Sequence, residues 1–95
     1  MSRIISENAA AALLSGRSFK QSNTRVEGGS MYLHDNEIAR YDRKADKLEI
    51  NLCGWVTLTT CERLNALPGV NIKRRKGTAF LNGEKIDSNN WILID

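Results

Sequence analysis

The stretch Gly54-Trp55-Val56-Thr57-Leu58-Thr59-Thr60-Cys61-Glu62-Arg63-Leu64-Asn65-Ala66-Leu67-Pro68-Gly69 carries the clearest helix start and stop signals in the chain. Thr59 and Glu62 have the spacing of a capping box: the hydroxyl accepts from the Glu62 N–H and the carboxylate reaches back to the Thr59 N–H. At the other end Pro68 drives Leu67 out of the helical region, and Gly69 tolerates the positive φ that turns the chain away. The expectation is a short helix over residues 60–66, inside a capped unit 59–67, that lays Leu64 and Leu67 across a sheet.

Upstream, residues 6–14 read as a second helix. Ser6 is a capping residue, Glu7 sits where the helix dipole favours negative charge, and Ala9 to Ala12 are strong helix formers. Gly16 ends this helix, which lies within an N-terminal helix segment assigned to residues 1–18. A helix this short is marginal in water, so it must dock. From Thr24 the hydrophobic period changes to two. Residues 24–27, 31–34, 38–42 and 47–53 read as strands joined at Gly28-Gly29-Ser30, Asp35-Asn36-Glu37 and Arg43-Lys44-Ala45-Asp46, a first meander over 22–53. In the last of these Leu48, Ile50 and Leu52 alternate with Lys47, Glu49 and Asn51, the pattern of a sheet with one covered and one wet face.

Downstream of the central helix the same period resumes at 70–74, 78–81 and 84–87, with turns at Lys76-Gly77 and Asn82-Gly83. Asn-Gly is the strongest short hairpin signal, because both residues accept the positive φ of a type I′ turn. Trp91-Ile92-Leu93-Ile94 reads as a last strand or a tail tucked into the core, closing a second meander over 70–95. The expected fold is therefore α+β in one domain, residues 1–95: N-terminal helix, antiparallel meander, short central helix, second antiparallel meander, with both helices on one face of the sheet.

Composition narrows the function. The 95 residues are 41% hydrophobic and 26% charged, ordinary for a folded domain, and the formal net charge is +3. That mild excess permits acidic partners without requiring them. Cys53 and Cys61 are the only cysteines and His34 the only histidine, too few for a four-ligand zinc site within one chain. Two reduced, partly buried thiols are the expected state, although a helix at 60–66 could fold Cys61 back toward Cys53. The N-terminal apolar stretch is broken by Ser6, Glu7 and Asn8, so no secretory signal is read, and no run is long enough to span a membrane. A cytoplasmic location follows as an expectation. Gly28-Gly29 lacks the Lys-Ser/Thr of a phosphate loop.

Candidate chemistry is sparse. Lys73-Arg74-Arg75-Lys76 is the main basic cluster, and Arg40, Arg43, Lys44 and Lys47 gather around another hairpin tip. In an extended strand Lys73 and Arg75 face opposite to Arg74, so these four charges are not one patch. A phosphate-binding groove would need both tips on the same side. Phe19, Tyr32, Tyr41, Trp55, Phe80 and Trp91 are scattered, and core or rim packing is the expected job of most. Trp55 follows Gly54 in a loop; it is expected to cover the end of the sheet, and if exposed it would be a binding anchor. His34 beside Asp35, with either cysteine, has the residue types of a nucleophile and its base, but nothing in the spacing brings them together. No catalytic, cofactor-binding or metal-ligating residue is assigned.

Several stretches resemble a recurring signature. Ser22-Asn23-Thr24-Arg25-Val26, Met31-Tyr32-Leu33-His34 with Ile38-Ala39, Gly54-Trp55 with Thr59-Thr60-x-Glu62-Arg63-Leu64-Asn65-Ala66-Leu67-Pro68-Gly69-Val70, and Phe80-Leu81-Asn82-Gly83 are similar to a family of small proteins encoded by tailed bacteriophages and prophages. The resemblance covers most of the chain after about residue 20. Cys61 stands where the family pattern has a polar or basic residue, and Leu58 where Pro is commoner. No activity, cofactor or catalytic residue comes with the resemblance.

Phage origin, as an argument from class and not from residues, leads to the expectation of a non-enzymatic binding module acting on a host or phage protein in the bacterial cytoplasm, including inhibition of host defence or host metabolism. Contact is expected through Trp55, through Lys73, Arg74, Arg75 and Lys76, or through the polar sheet face. The alternative is weak, sequence-independent nucleic-acid binding through Arg43, Lys44 and Lys73 to Lys76. An apolar terminal strand from Trp91 also offers an edge for a homodimer.

Overall fold

The computed structural model describes residues 2–94, with side chains from Ile4 onward. Met1 and Asp95, the outer bounds expected for the first helix and the second meander, lie outside the described residues. Helix α1 (Ser2–Ser15) begins earlier than the capping reading placed it. Ser6 is an interior residue, buried at 3% exposure. Ser6 therefore serves a neighbour from inside the helix, its hydroxyl accepting from the Arg63 guanidinium at 2.9 Å. Gly16 ends α1 as expected: at φ +72° its N–H bonds Leu13 O at 3.4 Å and the Arg17 N–H bonds Ala12 O at 2.9 Å, the paired bonds of a Schellman stop.

Next come β1 (Phe19–Gln21), β2 (Thr24–Glu27), β3 (Ser30–Leu33), β4 (Asn36–Asp42) and β5 (Lys47–Ile50), then helix α2 (Leu58–Asn65), then β6 (Ile72–Arg75), β7 (Thr78–Leu81), β8 (Glu84–Lys85) and β9 (Ile92–Ile94). The described strands form two antiparallel sheets, β1-β2-β3-β4-β5-β9 and β6-β7-β8. The α+β order of helix, strands, helix, strands is the one the patterning implies. Strand β1 was missed because Phe19-Lys20-Gln21 is too short to show alternation. The terminal strand leaves its own meander and pairs with β5, Ile50 opposite Ile92 and Leu48 opposite Ile94.

The first two hairpin turns are one residue tighter than the three-residue connections expected for them, and the turns at Lys76-Gly77 and Asn82-Gly83 are the ones expected. Gly28-Gly29, His34-Asp35, Lys76-Gly77 and Asn82-Gly83 are each the two central residues of a tight loop, and all eight have positive φ. That is type I′ geometry, whose twist matches that of the strands it joins. The turn expected at Asp35-Asn36-Glu37 is therefore His34-Asp35, and Asn36 already pairs with Leu33. A β-bulge then places Ile38 outside the pairing, with Met31 opposite Ala39 and Tyr32 opposite Glu37. Ile38 and Ala39 consequently both reach the core, at 1% and 0% exposure.

The capping box is the main local correction. Helix α2 starts at Leu58, and its cap is Thr57, whose Oγ1 accepts from the Thr60 N–H at 3.2 Å. Two threonines upstream of Glu62 offered alternative caps, and the earlier one lets Thr60 turn inward, buried at 1% exposure. Glu62 does not reach back; its Oε2 is enclosed with no hydrogen-bond partner among the described residues. The stop signals hold: Ala66 is the C-cap, and Gly69 follows Pro68 at φ +75°.

The core lies where α1 and α2 pack on each other and on the first sheet. Ala9, Ala10, Ala12 and Leu13 of α1 meet Cys61 and Leu64 of α2, over Val26, Met31, Leu33, Ile38, Leu48, Ile50 and Leu52. The small alanine flank lets the helices approach closely. Each fully buried Leu, Ile or Met contributes about 2 kcal/mol relative to exposure. The second sheet rests on α2 through β6, fixed by Asn65, whose side chain accepts from Ile72 N at 2.6 Å and donates to Ile72 O at 3.0 Å.

At the centre of this junction is Arg63, buried at 2% exposure. Its guanidinium donates to Thr24 Oγ1 at 2.7 Å, Ser6 Oγ at 2.9 Å and Asn23 Oδ1 at 3.3 Å, joining α2 to α1 and to the start of β2. Burial lowers its pKa, and the nearby Glu62 charge opposes that shift.

Candidate functional site

The loop between β5 and α2 makes the most distinctive surface feature. Leu52-Cys53-Gly54-Trp55 closes a tight turn with Trp55 N–H on Leu52 O at 2.9 Å, and Cys53 and Gly54 have φ of +56° and +75°. Gly54 is anchored by its N–H on Ser88 O at 2.8 Å. A Cβ there would stand 2.8 Å from Asn89 Oδ1, so the close approach of the C-terminal segment requires glycine. The turn throws Trp55 outward. It is 61% exposed, as is Leu58, which corrects the expectation that Trp55 covers the end of the sheet. Leu52 is fully buried without it, and the indole lines only the rim of a neighbouring groove.

Beside Trp55 lies a mostly apolar groove of about 280 Å³. Leu33, His34, Asn36 and Ile38 of the β3–β4 hairpin form one wall; Leu52 and Cys53 form the floor, and Thr57, Thr59 and Thr60 at the start of α2 form the other wall. His34 and Cys53 therefore share a groove, a juxtaposition invisible in their spacing. They are not bonded to each other. His34 Nε2 lies 3.5 Å from Asn23 Nδ2, and the Cys53 thiol donates to Glu37 O at 3.1 Å. Both cysteines are free thiols. Burial, reinforced by the Glu37 charge, pushes the Cys53 thiol pKa up; burial also raises Cys61, with Arg74 acting the other way. Among the described residues no group of three or more His, Cys, Asp and Glu side chains could hold a metal ion, and no helix is long and apolar enough to cross a membrane.

The basic residues separate into two unlike groups. Arg43 rests against Gly16 at the C-terminal end of α1, where the helix dipole favours a cation. Its hairpin tip also carries two carboxylates: Asp42 Oδ1 accepts from the Lys44 and Ala45 N–H groups, and Asp46 accepts from Tyr41 Oη. The tip is mixed in charge, not basic. Arg40 is bound up with Glu49 at 2.9 Å and lies over the Trp91 ring at 3.9 Å. By contrast Lys73, Arg74, Arg75 and Lys76 are all exposed. The register puts Lys73 and Arg75 on one face of the second sheet and Arg74 on the face of Ile72 and Ala79, toward α2. The sequence reading of these four charges as divided is correct. The two clusters stand on different elements.

Sequence reasoning missed Arg63, Ser6, Asn23 and Thr24 as one assembly. Helical spacing carried a signal: Arg63 lies three residues after Thr60 and four before Leu67, on the stripe that α2 buries.

No curated protein matches this chain, and no solved structure matches it. A family model described as Kyanoviridae Gp96 protein matches residues 2–93, so the similarity reaches beyond the signature stretches into α1. The chain belongs to the Kyanoviridae Gp96 protein family, a family of phage proteins.

Proposed function

We propose that this phage protein is a non-catalytic binding module that engages a host or phage protein in the cytoplasm of the infected bacterium, with Trp55 and the groove beside it as the anchor. The observation that carries this reading is the 61% exposure of Trp55 on a turn held by hydrogen bonds at both ends. A large aromatic presented on a rigid support is the commonest kind of interface hot spot, because it buries much area at little entropic cost. Leu58, equally exposed, is a second large apolar side chain three residues on at the start of α2. A groove of about 280 Å³ lies just below the usual range for small-molecule pockets and suits a single apolar side chain from a partner.

The non-catalytic reading draws support from the groove's two reactive side chains. A nucleophilic cysteine needs a lowered pKa, whereas burial raises that of Cys53 and its thiol donates to a carbonyl. A module of this kind acts by occupying a surface, the mode by which it would inhibit a host defence or metabolic protein. A nucleic-acid groove spanning both basic clusters has no support, since Arg43 and Lys44 share their tip with Asp42 and Asp46.

The test is affinity capture from infected-cell lysate on the immobilised protein, alongside a Trp55→Ser, Leu58→Ser variant whose fold is checked by circular dichroism. A discrete protein retained by the wild type and absent from the variant is the expected result. Identical retention by both, or none by either, removes the reading.

A further inference from the structure

The outer face of the second sheet is independent of the Trp55 groove. Cross-strand pairing aligns Lys73, Phe80 and Lys85 in one row across β6, β7 and β8, with Arg75 opposite Thr78 in the next row. Paired residues share a face in an antiparallel sheet, so an aromatic ring stands between two lysines, with an arginine one pleat away and Lys76 at the adjoining turn. Ile72, Ala79 and Leu81 occupy the opposite, core-facing side. The carboxylate of Glu84 belongs to that side too, because Glu84 pairs with Leu81.

Phe80, like Trp55, stands apart from the other aromatic residues. Phe19 and Tyr41 pack against the hydrophobic core, and Phe80 does not. Tyr32 and Trp91 already lie beneath Arg25 and Arg40; among the described residues no guanidinium covers Phe80. Its half-buried ring lies instead in a shallow groove lined by Lys73, Arg74, Arg75 and Gly83. Lys73, Arg75, Lys76 and Lys85 are exposed and form no ion pair with a described residue. Residues 70–94 hold five Lys and Arg against two Asp and Glu, so the basic excess of the chain is concentrated here.

We infer that this face binds single-stranded nucleic acid, Phe80 stacking on a base while Lys73, Arg75, Lys76 and Lys85 contact the flanking phosphates. A half-buried aromatic lining a groove among cations that pair with no described carboxylate matches the two requirements of single-strand binding, a stacking platform and a positively charged track. A duplex, whose bases are already stacked on one another, offers nothing to the ring. An acidic protein would satisfy the cations but not use Phe80.

The experiment is fluorescence anisotropy of a labelled oligothymidylate about 20 nucleotides long, longer than the usual footprint of such a site. With four phosphate contacts, log K against log salt should have a slope near −2.8, a loss of about fifty-fold in affinity between about 50 and 200 mM salt. Phe80→Ala should weaken binding at least about tenfold without changing the slope. Lys73→Gln combined with Lys85→Gln should make the slope shallower by about 1.4. Those two lysines are exposed, so this variant remains informative if Phe80→Ala fails to fold. Trp55→Ser and the Arg43→Gln, Lys44→Gln pair should bind like wild type. Absence of binding at low salt would overturn the inference. So would equal binding of a duplex of the same length, displacement by polyglutamate at equal charge concentration, or equal loss from the Arg43 and Lys44 pair.

Discussion

Replacing Arg63 with Met would remove the charge that joins α2, α1 and β2 while keeping a side chain of similar length. The guanidinium is 2% exposed, and its acceptors Ser6 and Thr24 are 3% and 1% exposed. None of these oxygens can turn to water once the donor is gone. A buried hydrogen bond from a charged donor contributes about 1.5–3 kcal/mol. The bonds to Thr24 at 2.7 Å and Ser6 at 2.9 Å count in full, whereas the 3.3 Å bond to Asn23 counts for less, because Asn23 keeps the Thr24 hydroxyl as a donor. Against this stands the relief of desolvating a cation, so the expected net loss is about 3 kcal/mol, within the range for breaking a buried charged pair from one side.

For a domain whose total stability is about 5–10 kcal/mol, that loss is readily measured. Urea unfolding followed by far-UV circular dichroism should show the midpoint falling by about 1.5–3 M at constant slope. Adding Ser6→Ala and Thr24→Val removes the two buried hydroxyl oxygens that lost the guanidinium and should recover part of the loss. An Arg63→Met protein within about 1 kcal/mol of wild type would refute the reasoning, as would a triple variant no more stable than the single.

Three further outcomes follow from backbone strain and from the thiols. His34 and Asp35 occupy the left-handed region, which costs most residues about 1–2 kcal/mol each. Replacement by Asn-Gly should therefore stabilise the hairpin by about 1 kcal/mol in the same urea assay, and destabilisation would mean that their side chains matter more than the turn. Gly54→Ala should cost about 2 kcal/mol, from the φ of +75° and the contact with Asn89; adding Asn89→Gly should return only the steric part. Both thiols have raised pKa values in the folded protein, so the unfolded chain loses these protons first as pH rises. That stability is fully present below the unfolded thiol value, near pH 8.5, and is lost as pH climbs through the folded values. A Cys53→Ser, Cys61→Ala protein should show less alkaline loss of urea midpoint than wild type; an identical profile would contradict the shifts.

How much of this was readable in the residues depended on whether the signal was local. Asn82-Gly83, Gly16, and Pro68 with Gly69 act on their own backbone, and each performs the predicted turn or stop. The choice between Thr57 and Thr59 as cap was not local, because what decided it was the burial of Thr60 against the sheet. The same holds for β9: the pattern of Trp91 to Ile94 left a last strand or a tucked tail open, and its pairing with β5 is a contact between residues more than 40 positions apart. Alternation placed Lys73 and Arg75 opposite Arg74, yet bringing Phe80 and Lys85 beside them required the register of two hairpins. Arg63 is the clearest miss. A charged residue is assigned to solvent by habit, and only its place on the buried stripe of α2 spoke otherwise. Trp55 was misplaced for the opposite reason, since large aromatics are assigned to cover, and the left-handed pair Cys53-Gly54 turned it out.

The central claim is that Trp55 marks the surface a partner protein covers. Its most direct test is photo-crosslinking in infected cells from benzoylphenylalanine placed at position 55, compared with the same probe at the exposed Lys20 of β1. The account predicts a crosslink to one defined protein from position 55 and none to that protein from position 20. No crosslink from position 55, or the same products from both positions, would contradict it.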